Sequence, residues 1–200
     1  MSRLPAKERR EQLLDCAAEL FARNGYARAT TSQLAKAAGV TEPIIYRHFA
    51  SKRELFVALI RRTGERTLAM WGEALADATE PADRVKRLIN GNPMTTRENR
   101  DAYRVMLQAI SEVDGDEGLQ EALDEHIRSV HTFLVKELEV AQEAGRVPDR
   151  FGPGVLAWVM ISMGMGYGVL DAMSITGRGR DDKGHHVRDV IAAAMINVPK

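Results

Sequence analysis

The sequence predicts an all-α fold of about nine helices, and three observations carry that prediction. Apolar residues recur at helical spacing along most of its 200 residues, capping residues and glycines punctuate those runs, and no stretch alternates as a strand would. No internal repeat is visible. The length is ample for a buried core.

The first helix runs over residues 6–24, with Leu13, Ala17, Leu20 and Phe21 on one stripe and Arg9, Arg10 and Arg23 outside it. Asn24-Gly25 ends it. Thr30 followed by Gln33 is a capping box, so a second helix starts there, with Leu34, Ala35 and Ala38 as its small apolar face. Gly39 stops it, because a residue just past a helix end often needs positive φ. Thr41 begins a third helix, Pro43 falls in its first turn, and Ile44, Ile45 and Phe49 anchor it. Two short helices joined by a Gly-containing turn form a helix-turn-helix pattern, whose second helix enters the DNA major groove. A plain helical hairpin would show the same glycine. What favours nucleic acid is that Thr41, Glu42, Tyr46, Arg47 and His48 lie off the apolar face. Ser51 and Glu54 make a second capping box that places Lys52 in a first helical turn, where backbone N–H groups and a cation can hold a phosphate together.

A long helix over 52–79 then leads from this head into the body, carrying Leu55, Phe56, Leu59, Ile60, Leu68, Trp71 and Leu75. Pro81 starts a short helix ended by Asn90-Gly91-Asn92-Pro93. Residues 97–113 form the next, with Tyr103, Met106, Leu107 and Ile110 at i, i+3, i+4 and i+7. After an Asp114-Gly115-Asp116 turn, residues 117–144 form a long amphipathic helix stopped by Gly145, and 146–154 are a linker. Residues 151–170 contain no charge, and a helix is expected over 153–175. Five glycines and an early proline leave about sixteen useful apolar residues against the roughly 20 a membrane span needs, so an interface helix is favoured over a span. The last helix covers 183–197. The expected division is a DNA-binding head at 1–51 and a ligand-binding and dimerisation body at 52–200.

Charge is unevenly spread under a net of zero. Residues 1–62 hold twelve Lys and Arg against six Asp and Glu, and residues 63–200 hold sixteen against twenty-two. A basic head on an acidic body suits a phosphate-binding module joined to a partner that avoids DNA. Cys16, the single cysteine, excludes an intramolecular disulfide and reads as an inert thiol near a buried face. The charged first ten residues carry no secretory leader, so a cytoplasmic location is expected.

The run Gly39-Val40-Thr41-Glu42-Pro43-Ile44-Ile45-Tyr46-Arg47-His48-Phe49-Ala50-Ser51-Lys52-Arg53-Glu54-Leu55-Phe56 resembles the DNA-binding signature of the TetR family of bacterial transcriptional regulators. The likeness covers about residues 9–60, with Gly39, Tyr46, Phe49 and Lys52 in register; nothing beyond residue 62 matches a motif. The resemblance implies that Thr30, Thr31, His48 and Lys52 hold phosphates, while Ser32, Thr41, Glu42, Pro43, Ile44 and Tyr46 face bases. Glu42 would accept from cytosine N4, and Pro43 or Ile44 would pack on a thymine methyl. Arg47 would touch phosphate. Plainer roles stand beside these: dipole complementation for Glu42, helix initiation for Pro43, partial core for Tyr46 and solvation for Arg47. Position 32 is Ser where many relatives carry Arg or Lys, which weakens base reading from the first helix of the pair.

One two-turn helix reads too few base pairs for a genomic site, so a homodimer on a pseudo-palindromic duplex operator is expected, with half-sites ~34–36 Å apart. The helices at 153–175 and 183–197 are the expected dimer contact, as the resemblance also implies. Trp71, Tyr103, Met106, Leu107, Ile110, Trp158 and Met163 are candidates for a ligand cavity, although such stripes are more often plain core. Nine methionines would suit an adaptable apolar pocket and hence a small hydrophobic effector, and the resemblance implies a repressor that such a ligand releases from DNA through tilting of the 52–79 helix. A regulator that is constitutive or activating is the alternative. No cofactor, metal or membrane is expected, and no enzyme: there is no nucleophile elbow, phosphate loop or isolated carboxylate pair, and His185-His186 and His126/His131 are wrongly spaced for chelation. An architectural DNA protein would be basic throughout.

Overall fold

A computed structural model describes residues 4–91, 100–112, 115–173, 175 and 179–197. Among the described residues there are nine α-helices: α1 (Ala6–Asn24), α2 (Thr31–Ala38), α3 (Glu42–Tyr46), α4 (Lys52–Leu75), α5 (Pro81–Asn90), α6 (Arg100–Glu112), α7 (Glu117–Glu143), α8 (Pro153–Ala172) and α9 (Val187–Met195). The extended structure among them is a single antiparallel bridge between Arg180 and His186. The all-α prediction holds. Three helices are shorter than expected: the 52–79 helix stops at Leu75, the 153–175 helix stops at Ala172, and the 183–197 helix is cut at both ends to Val187–Met195. The expected break at Asn92-Pro93, the 97–99 start of α6, the turn residue Asp114 and the chain end after 197 lie outside the described residues.

The chain forms two compact units, Met1–Thr63 with Asp101–His126, and Gly64–Arg100 with Ile127–Lys200. The first is built on Leu13, Leu14, Ala17 and Phe21 of α1, Leu34 of α2, Ile45 of α3 and Leu55, Phe56, Leu59 and Ile60 of α4, all buried. Phe21 meets Tyr26 and Phe56 edge-on at 5.7 and 5.6 Å, while Tyr26 stacks on Phe56 at 4.2 Å. This geometry favours aromatic pairs beyond their burial. Two clips join the α6–α7 hairpin to that unit. Arg53 pairs with Asp116 through both carboxylate oxygens, and Gln108 donates to the Phe21 carbonyl at 3.1 Å, a second donor beside the Gly25 N–H at the end of α1.

The second unit has its own core around Trp71, Leu75, Val85, Leu88, Leu134, Leu138 and Met160. The C-terminal carbonyls of α4 need donors, and α5 supplies them. Arg84 donates to the carbonyls of Leu75 and Ala78 at 2.9 Å and grips Glu137 with two bonds of 2.7 Å. Arg87 donates to the Ala74 carbonyl and to Asp77. Trp71 caps α5 by donating to the Gly91 carbonyl at 3.1 Å.

Over Pro153–Leu170, α8 is long and apolar enough to cross a membrane, with a mean hydropathy of 1.4, yet 33% of that window is buried within the chain. Its Val155, Trp158, Val159, Val169 and Leu170 face outward, as do Val187 and Val190 of α9.

Candidate nucleic-acid interface

Local signals build the α2–turn–α3 unit. Thr30 Oγ1 accepts from the Gln33 N–H at 3.2 Å, and Gln33 Oε1 accepts from the Thr30 N–H at 3.0 Å, the reciprocal capping box its sequence spells. Gly39 adopts φ 65° and ψ 35°, a left-handed conformation that glycine takes without a Cβ penalty. The Val40 N–H then closes the turn on the Ala35 carbonyl at 2.9 Å. Thr41 precedes α3 with extended backbone, but its hydroxyl makes no cap bond and stays exposed. Beyond α3 the turn continues through His48 and Phe49 N–H bonds to the Ile45 carbonyl. Ile45 and Phe49 are buried; Ile44, expected to anchor, is only half-buried.

The outward set follows from that anchoring. Thr30, Ser32, Thr41, Pro43, Tyr46 and Arg47 are exposed, and Thr31, Glu42, Ile44, His48 and Lys52 are half-buried. Tyr46 keeps 49% of its surface open to solvent. Thr31 donates to Glu42 Oε2 at 2.9 Å and lies 3.3 Å from the Tyr46 hydroxyl. Thr41, Ile44, Arg47 and His48 line an open cleft of about 500 Å³, closed on the other side by Leu4, Ala6 and Arg9. Its charged lining is entirely cationic. Arg9, off the apolar stripe of α1, reaches this cleft by a long-range approach to α3 that helical spacing does not encode.

Lys52 is placed differently from what a free phosphate ligand would show. Its ammonium lies 2.9, 3.0 and 3.4 Å from the carbonyls of Tyr26, Ala29 and Ala27, and 4.4 Å from the Tyr26 ring centroid. The α1–α2 loop is thus tied to the first turn of α4. In the adjoining cap, Ser51 Oγ accepts from the Glu54 N–H, while Glu54 reaches the Ala50 N–H at 2.6 Å.

The ligand candidates fall in both units. Tyr103 and Met106 are buried, Leu107 half-buried and Ile110 exposed in the first; Trp71 is buried, Met163 half-buried and Trp158 exposed in the second. Trp71 stacks on Phe133 at 5.6 Å, and Trp158 lies over His131 at 4.8 Å. An apolar cavity of about 220 Å³ in the second unit is lined instead by Val147, Phe151, Val155, Val159 and Met195 among others. Beside Tyr103, His126 is 4% exposed, and burial drives its pKa down to about 4. Its Nδ1 has no hydrogen-bond partner. Burial, then Glu19 and Asp15, raise the Cys16 thiol above its ordinary range, which makes it a weak nucleophile.

Residues 13–59 match the profile of bacterial regulatory proteins of the tetR family. The chain is 31% identical over 137 residues to the nucleoid occlusion factor SlmA of Marinobacter nauticus, covering 67% of this chain and 70% of that protein. The chain belongs to the tetR family. It is therefore a regulatory protein rather than an enzyme. It is also 33% identical over 107 residues to the HTH-type transcriptional activator FasR of Mycolicibacterium smegmatis, 54% of this chain and 49% of that protein. The match thus spans about half the length of that relative. A transcriptional regulator from Saccharomonospora viridis, crystallised in complex with choline, superposes with a TM-score of 0.79 at 20% identity over 96% of this chain and all of that one. That likeness extends the TetR-family fold past the head to nearly the whole chain.

Proposed function

We propose that this TetR-family chain is a ligand-responsive, dimeric, cytoplasmic transcriptional regulator that reads a pseudo-palindromic operator with α3 and represses until a small apolar molecule releases it. The observation that carries the reading is the division of labour on α3 and the turn after it: Ile45 and Phe49 are buried while Thr41, Pro43, Tyr46 and Arg47 stand outward, and Arg47 shares an open cleft with Arg9. Residues 1–51 form the reading head and 52–200 the dimerising, ligand-binding body.

Roles on DNA follow from chemistry and placement. Thr30, Arg47 and His48, joined by Arg9, contact phosphate and fix register; Ser32, Thr41, Glu42, Pro43, Ile44 and Tyr46 meet base edges. Lys52 contributes charge to the surface while its ammonium holds the loop. The outward apolar faces of α8 and α9 support a dimer through those helices. In this reading the effector is held within one unit, with Trp71, Trp158 and Met163 of the second as its candidate contacts, and the choline-bound regulator of the same fold supports occupancy by a small molecule.

The likeness to an activator favours a second reading, in which the bound dimer recruits rather than blocks transcription. The test for both is enrichment of bound fragments from a promoter pool, followed by transcription from the enriched site. Repression relieved by an apolar compound supports the first reading. Raised transcription selects the second, and failure to enrich any fragment overturns both.

A further inference from the structure

The hydroxyl of Thr31, in the first turn of α2, bridges two side chains of α3. It lies 2.9 Å from Glu42 Oε2 and 3.3 Å from the Tyr46 hydroxyl. Donor order follows from the groups themselves. A carboxylate only accepts, and a threonine hydroxyl carries one proton, so Thr31 donates to Glu42 and Tyr46 donates to Thr31. Three residues, 11 and 15 positions apart in sequence, thus form one directional relay from Tyr46 through Thr31 to Glu42. Each proton in that relay is committed inward. What the relay leaves uncommitted is acceptor alone: Glu42 Oε1 and the lone pairs of the Tyr46 oxygen.

We propose that Thr31 is a positioning residue that holds Glu42 and Tyr46 as one acceptor-only reading surface, and that this surface selects an exocyclic amino group, cytosine N4 above adenine N6, in the major groove. The inference rests on the DNA-binding reading above and assigns the chemistry of one base position within it. Guanine presents only acceptors, N7 and O6, on that edge, and thymine presents O4 and a methyl group. Either would set lone pair against lone pair. Adenine offers its N6 donor with the N7 acceptor beside it, which ranks it below cytosine. The role differs from phosphate binding, which would leave Thr31 without influence on base choice.

Purified full-length protein is used to enrich a half-site from a randomised duplex pool. Affinities are then measured by fluorescence anisotropy for all four pairs at each position of that site. The position read by Glu42 is the one whose preference disappears in Glu42→Ala. Cytosine or adenine is expected there, favoured over guanine by about tenfold or more. Thr31→Val keeps the shape and removes the hydroxyl, and should reduce that ratio to about threefold or less; Thr31→Ser should restore it. Tyr46→Phe, an exposed change that leaves folding intact, should relax the ratio in the same direction. Thermal unfolding confirms that each variant is folded.

Preference for guanine or thymine at that position overturns the inference, as does the absence of any position sensitive to Glu42→Ala. Equal weakening of all four duplexes and of random DNA by Thr31→Val overturns it too, because that pattern marks a phosphate contact. In these outcomes a defined site still exists and the DNA-binding reading stands. A protein that enriches no sequence overturns that reading and this inference together.

Discussion

The ammonium of Lys52 has three N–H donors and meets three backbone carbonyls, so it serves the loop before it can serve a ligand. Lys52→Met should therefore lower stability by about 1–3 kcal/mol, read as a shifted urea midpoint at unchanged slope. Arg47, exposed beside the cleft, is the better phosphate ligand. Arg47→Ala should weaken specific and random duplexes alike and reduce the slope of log affinity against log salt by about one; an unchanged slope would remove it from the contact set. His126 gives a second residue-scale expectation. Burial depresses its pKa from 6.5 to about 4, so between those values the unfolded chain binds the extra proton. Stability is then fully present above pH 6.5, is lost as pH falls toward 4, and levels below it. Between pH 7 and pH 5 the loss should be about 2 kcal/mol in urea titrations. His126→Leu should flatten that part of the profile, and a parallel profile would refute the assignment.

At the scale of elements, what was legible in the sequence is what is decided within a few residues. The Thr30–Gln33 capping box, the Gly39 stop and the span of α1 all stand where local chemistry puts them. The end of α4 was not legible. Its apolar pattern runs on through Ala78, which is buried, and the helix stops at Leu75 where Arg84 and Arg87, from α5, take its last carbonyls. The same limit hid the Thr31–Glu42–Tyr46 relay, the Lys52 carbonyl cluster and the approach of Arg9 to α3. Each joins residues far apart in sequence through side-chain geometry that periodicity does not encode. The Gly39 turn is the element most exposed to a single change. At φ 65° a Cβ meets nothing within 4 Å, so the penalty for Gly39→Val is conformational, not steric crowding. β-Branching makes left-handed backbone a true outlier, and the cost should be about 1–3 kcal/mol in thermal or urea unfolding. Operator affinity should fall further than stability does, because the same turn sets the angle between α2 and α3.

For the whole molecule, the question is what covers α8. Val155 and Val159 are one helical turn apart on it and are 58% and 47% exposed, and Val190 of α9 is 64% exposed. Isolated exposed apolar residues need no explanation, whereas a run of them on a helix without charge before Asp171 marks an interface. A second copy of the chain suits this face, because a two-fold axis would bring α8 and α9 against their own counterparts and set two heads on one operator. Replacing Val155 and Val159 together by Asp would then place each new charge in the interface twice, unpaired and desolvated, at several kcal/mol per ion. The folded double variant should elute at half the mass of the parent by light scattering in detergent-free buffer. With one head per particle, operator affinity should drop by about 100-fold or more toward its value for random duplex. Both changes fall in the unit that does not carry α3, so residual binding to random DNA should keep the parent's salt dependence. A parent protein that is already monomeric, or a variant that stays dimeric with full operator affinity, would move the dimer contact off α8.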